Sequence, residues 1–144
     1  MAASRYASEY PANLPFEERY RKFIEEFYQV SDTPSAHDQY VARFAPNARL
    51  VMASKVAVGA EEILALRRAL WEKVNTRSHR PLKVFPFGAN SDEVMIYGTV
   101  EYGFKDGRNG GLEWAAKGKL GVDETGKVVW RDYQVYMDTA AQNK

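Results

Sequence analysis

Few residues in this chain could carry acid–base chemistry. The only imidazoles are His37 and His79. Cysteine is absent, which excludes thiol catalysis, cysteine-ligated zinc and a disulfide framework. The two histidines lack a His-x-x-x-His spacing, so no metal site is expected. No Gly-x-Ser-x-Gly elbow occurs, and no glycine-rich phosphate loop follows a strand. Gly118-Lys-Leu-Gly121 falls inside a strand and reads as a bend or bulge. The remaining chemistry is proton transfer by a histidine or carboxylate whose pKa is tuned by apolar walls. His37 shares a helix face with Val41 and Phe44 and reads as a half-buried face residue. His79 stands in Arg77-Ser-His79-Arg-Pro81, where a helix hands over to a strand. It either bonds across the sheet or faces a pocket. The strands also carry the carboxylates Glu101 and Asp132.

The elements that must position these groups follow from hydrophobic spacing. Phe16, Tyr20, Phe23 and Phe27 predict a helix over Phe16 to Val30. Ser35-Ala-His-Asp38 reads as a capping box opening a second helix that runs to Phe44. Arg49 to Ala53 predicts a first strand. A third helix starts at Gly59, carries the stripe Ile63, Leu66, Leu70, Trp71 and Val74, and ends near Asn75. Four strands follow: Pro81 to Phe87, Glu93 to Lys105, Leu112 to Val122 and Lys127 to Met137. The order ααβαββββ is an α+β fold, with one mostly antiparallel sheet covering its apolar face with three N-terminal helices. Residues 1–13 read as a flexible N-terminal arm, or a strap exchanged in a dimer, and 14–140 as a single domain.

Strand alternation puts Trp114, Ala116, Gly118 and Leu120 on one face, where small residues make room for a pocket. Glu113, Ala115, Lys117 and Lys119 face the other way, onto water or a hydrated dimer seam. On the last strand Trp130 and Asp132 share one face and Arg131 and Tyr133 the other. Tyr28, Tyr40, Trp114 and Trp130 belong to a set of aromatics larger than a small core needs. Some of them line a cavity for a flat, apolar ligand.

The chain has 144 residues, with 20 Lys and Arg against 19 Asp and Glu. That balance gives no reason to expect a nucleic-acid or membrane partner. No apolar run has the length of a signal peptide or membrane span, so a cytoplasmic protein is the default expectation.

In element order and in two local pieces, the sequence resembles the nuclear transport factor 2-like superfamily. The pieces are Phe44-Ala-Pro-Asn-Ala-Arg-Leu-Val-Met52 and Gly126-Lys-Val-Val-Trp-Arg-Asp-Tyr133. The second is similar to the final strand of limonene-epoxide hydrolase-type and SnoaL-like polyketide cyclase-type members. The resemblance implies a cone-shaped α+β barrel with a pocket at its wide end, and a homodimer. The segment around His79 is similar to the scytalone dehydratase branch, whose catalytic histidine follows the third helix. That branch also has a Tyr-Asp pair near the end of helix one, here matched by Tyr28 and Asp32. Its second histidine has no counterpart, and its first-strand pocket tyrosine falls near Met52. In epoxide-hydrolase-like relatives the Asp of Trp-Arg-Asp-Tyr points into the pocket, which here implies Asp132. Their Arg-x-Asp falls on Thr99-Val100-Glu101, which keeps the carboxylate but not the arginine. The ketosteroid isomerase branch would need acids near Met52 and Gly118, and both are missing.

These implications give a cofactor-independent dehydratase, isomerase or cyclase acting on a small apolar, polyketide-like or aromatic molecule. His79 is its acid–base group, with Asp132, Glu101 and Asp32 as partners. Tyr28, Tyr40, Met52, Trp114 and Trp130 are its ligand contacts. The alternative is a non-catalytic binding or dimerisation module of the same fold, in which those groups satisfy one another.

Overall fold

The computed structural model describes residues 4–143. Its elements are helices α1 (Glu18–Ser31), α2 (His37–Val41) and α3 (Gly59–Trp71) and strands β1 (Phe44–Met52), β2 (Lys55–Val58), β3 (Val74–Pro86), β4 (Glu93–Phe104), β5 (Asn109–Val122) and β6 (Val128–Met137). A 3₁₀ turn, Thr139–Asn143, closes the chain. The six strands form one sheet in the order β2-β1-β6-β5-β4-β3. Only β1 and β6 run parallel. The sheet curls around the helices into the expected cone-shaped α+β fold.

Helix α1 buries Tyr20, Phe23, Ile24, Phe27, Tyr28 and Ser31, one stripe at three- and four-residue spacing. Phe27 is the hub. Its ring lies within 6.2 Å of those of Phe23, Tyr28, Tyr40, Phe44, Trp130 and Tyr133. Full burial of a side chain of this size contributes about 1.5–3 kcal/mol.

Several boundaries differ from those the spacing predicts. Phe16 precedes α1 rather than opening it, and stacks on Tyr10 at 5.3 Å. The Ser35–Asp38 capping box does not form: Ala36 is the N-cap of α2 and makes no side-chain cap bond. Helix α3 stops at Trp71, because Val74 is already paired with Phe104 at the start of β3. Strand β2 is an addition to the predicted order. It turns back from β1 through Ala53, whose φ of 56° is unusual for alanine.

The first residues are docked rather than loose over the part described. Tyr6 is buried, Ser8 Oγ donates to Pro81 O at 2.5 Å, and Glu9 exchanges backbone bonds with Leu82 and Val84 at the edge of β3. Residues 1–3 lie outside the described residues.

Gly118, expected to leave room for a ligand, leaves room for a tryptophan instead, and Gly98 does the same. A Cβ at Gly118 would run into the Trp130 ring, and one at Gly98 into Trp114. Trp130 is therefore fully buried core packing and does not line the cavity.

Candidate functional site

The cone encloses a cavity of about 1020 Å³. Its walls come from all three helices, the turn from β1 into β2, β3, the β4–β5 pair and the end of β6. His79 reaches it because β3 alternates: Arg77, His79 and Pro81 point inward, while Ser78 pairs with Glu101 on the outside.

His79 Nδ1–H donates to Asp32 Oδ1 at 2.6 Å, and the His79 backbone N–H donates to Oδ2 of the same carboxylate at 2.8 Å. Tyr6 Oη donates to Oδ2 at 2.9 Å. Asp32 is the C-cap of α1, so the last turn of that helix delivers its carboxylate to β3. The Asp32 side chain is 3% exposed and that of His79 16%. A carboxylate only accepts, so Nδ1 carries the proton and Nε2 keeps its lone pair. Burial pulls the His79 pKa below its ordinary value. The bond to Asp32 works against this, and the nearby Arg77 and Arg67 add to it. The ring is neutral at pH 7, the state a general base requires.

Beside His79 stand two aromatics. The Tyr28 ring is 5.4 Å away and the Trp114 ring 5.6 Å. Tyr28 and Tyr133 share a hydrogen bond of 2.7 Å between their hydroxyls. Both are fully buried against the cavity wall, and burial raises both pKa values well above 10.0. They stay protonated; one O–H is spent in their mutual bond and the other is left to donate. Tyr40 and Met52 also line the cavity, and burial raises the Tyr40 pKa to about 12.

The carboxylates Asp132 and Glu101 are not part of this group. Glu101 is exposed on the outer face of β4. Asp132 lies on the outer sheet face, at a separate groove of about 470 Å³ bounded by Phe85, Met95 and Lys119. The cause is a bulge in β6. Leu120 pairs with Trp130 and Lys119 with Asp132, so Arg131 is skipped. Trp130 points in before the bulge and Tyr133, Val135 and Met137 point in after it. Strict alternation therefore assigns the wrong member of the Asp132–Tyr133 pair to the cavity.

Sequence reasoning also passed over two cavity arginines. Arg67 is 1% exposed, yet its guanidinium donates to Ser31 O at 2.6 Å, Thr33 O at 2.6 Å and His37 Nδ1 at 3.2 Å. Burial lowers its pKa to about 10. The signal was present, because Arg67 lies four residues from both Ile63 and Trp71 on the buried stripe of α3. Arg77 donates to Leu70 O at 2.7 Å and lies over the rings of Trp71 and Tyr102. Its position two residues before His79 on one strand was the signal for it.

No protein-family model matches the chain, and no curated protein sequence does. Its fold does match solved structures. One is provisionally named a scytalone dehydratase, from Novosphingobium aromaticivorans: 10% identity, TM-score 0.71, covering 84% of this chain and 83% of that one. Another is provisionally named a SnoaL-like polyketide cyclase, from Jannaschia sp.: 15% identity, TM-score 0.70, covering 91% and 93%. Nuclear transport factor 2 of Cryptosporidium parvum matches at 15% identity and TM-score 0.69, covering 89% and 100%. The chain thus shares the nuclear transport factor 2-like fold. At these identities the likeness concerns fold alone.

Proposed function

We propose that the protein is a cofactor-independent lyase or isomerase that moves a proton next to a carbonyl of a small aromatic or polyketide-like molecule. One observation carries this reading: the buried His79–Asp32 pair, bonded at 2.6 Å, in the wall of a cavity of about 1020 Å³. Asp32 fixes the imidazole tautomer and stabilises the imidazolium that forms when Nε2 takes a proton. The Tyr28–Tyr133 pair supplies one phenolic O–H, the one not spent in their mutual bond, to an oxygen that gains negative charge in the transition state. His79 then returns the proton to a neighbouring carbon, giving isomerisation, or to a departing hydroxyl, giving dehydration. Solved structures provisionally named for dehydratase and cyclase chemistry share the fold, which agrees with this reading. The reading keeps the homodimer expected from the sequence. Phe85 and Phe87, 51% and 78% exposed beside the outer groove, are available to it.

The test is deuterium exchange from D₂O into the α-positions of a panel of aromatic ketones, followed by NMR. Exchange by the wild type that falls by about 10²–10⁴-fold in His79→Gln supports the reading. Ketones that bind near His79 but exchange equally fast with both proteins would leave a binding module in its place.

A further inference from the structure

The charge around the cavity is lopsided. The chain as a whole is nearly balanced, with 20 basic and 19 acidic residues. The cavity lining nevertheless contains Lys55, Arg67, Lys73, Arg77, Lys105 and Arg108 against only Glu72 and Asp106. Asp106 is already held by Arg108 at 2.8 Å. The single carboxylate behind the wall, Asp32, is engaged by His79 and Tyr6. Among the described residues, neither Arg67 nor Arg77 has a carboxylate within ion-pair distance. Taking a guanidinium out of water without an anion is costly, and the lowered pKa values of both arginines express that cost. Arg67 offsets it locally by capping the carbonyls at the end of α1. Arg77 does so less completely: it gives one Nη2 hydrogen to Leu70 O and a bond to the Tyr102 hydroxyl, out of five donors.

We propose that the cavity binds an aryl or polyketide-like acid, with the ligand's carboxylate or phenolate on Arg77. This rests on the cavity being the ligand site of the proposed function and specifies which ligands it takes. Arg77 and His79 are two residues apart on the same face of β3, so their backbones are about 6.6 Å apart. A carboxylate held by Arg77 therefore places a carbon roughly one ring-width away beside Nε2 of His79. Trp114 and Tyr28 flank that position and offer aromatic faces to the apolar body. Lys73, Lys105 and Lys55 stand further around the lining and draw anions toward the mouth.

The experiment is calorimetric titration of the whole protein with 2-naphthoate and with its neutral isostere 2-naphthamide, at low and high salt. The naphthoate is expected to bind roughly tenfold tighter, one charge-assisted hydrogen-bonded contact being enough for that. Added salt should erode the difference. Arg77→Gln should abolish it, so that the naphthoate binds no tighter than the amide. Because Arg77 also caps α3, a Lys73→Gln/Lys105→Gln double variant serves as a second test. It should keep the fold and lower the naphthoate preference in part. Equal affinity for the two probes, or a preference that survives both variants, overturns the anion assignment and leaves the proton-transfer reading untouched. Binding of neither probe overturns the assignment together with the ligand cavity on which it rests.

Discussion

At the scale of single residues, the site turns on which of two opposing effects controls His79. Its bond to Asp32 favours the imidazolium, and burial beside Arg77 disfavours it. Burial is the larger effect, so the folded-state pKa lies below the ordinary value of about 6.5. A base in that state works at and above neutrality. The pH profile of kcat/KM should therefore rise to a half-maximum below about pH 6.5 and then level off. No basic limb should appear before pH 10, because Tyr28 and Tyr133 hold their protons beyond it. Asp32→Asn removes the charge that raises the His79 pKa. It should move the acid limb to still lower pH and reduce the plateau by about 10²–10⁴-fold. An Asp32→Asn profile superimposable on the wild type would remove the carboxylate from the chemistry.

At the scale of elements, the sheet seats its indoles in notches left by glycines. Gly118→Ala forces a methyl against the Trp130 ring, which the fully buried core around Phe27 holds in place. Overpacking of this kind costs about 1–3 kcal/mol. Gly88→Ala, where nothing lies within 4 Å, should change the denaturant midpoint little. Urea unfolding of the two variants side by side distinguishes a filled notch from a general effect of alanine. The same strands show what the sequence could and could not reveal. Phe23, Phe27, Ile63 and Leu66 repeat at helical spacing and mark their buried faces directly. The inward turn of Tyr133 does not show, because a bulge is decided by how β6 meets β5 and β1 together, and a one-residue slip flips every later side chain. Strand β2 was hidden for a similar reason: its hairpin uses Ala53 at φ 56° where glycine or asparagine would have marked the turn. His79 and Asp32 were legible as types, through the resemblance around them. Their bond was not, since it joins residues from opposite ends of the helical and strand halves.

At the scale of the whole molecule, the N-terminal segment connects stability to the site. Glu9 lies parallel to Lys83 and covers part of the β3 edge, which would otherwise present unpaired backbone groups. Three residues earlier, Tyr6 donates to the carboxylate that holds His79. Protonation of His79 is disfavoured in the folded state, so between its folded pKa and about 6.5 the unfolded chain binds more protons. This contribution to stability is complete above about pH 6.5 and declines as pH falls through that window, by at most about 1.4 kcal/mol per pH unit. Tyr6→Phe alters this balance without touching the histidine. Losing one buried hydrogen bond costs about 0.5–1.5 kcal/mol at neutral pH. The carboxylate, no longer sharing its charge with the phenol, then pulls harder on the imidazole. The His79 pKa should rise toward the unfolded value, so the acid-side loss of stability should still begin near about pH 6.5 but be smaller and end at higher pH than in the wild type. NMR titration of His79 in a His37→Gln background reads the first effect, and urea midpoints between pH 5 and 8 read the second. A Tyr6→Phe protein that loses stability at neutral pH with no movement of the His79 titration would make the segment a simple edge cover. Movement of both would mean that a part of the chain distant in sequence sets the strength of the base.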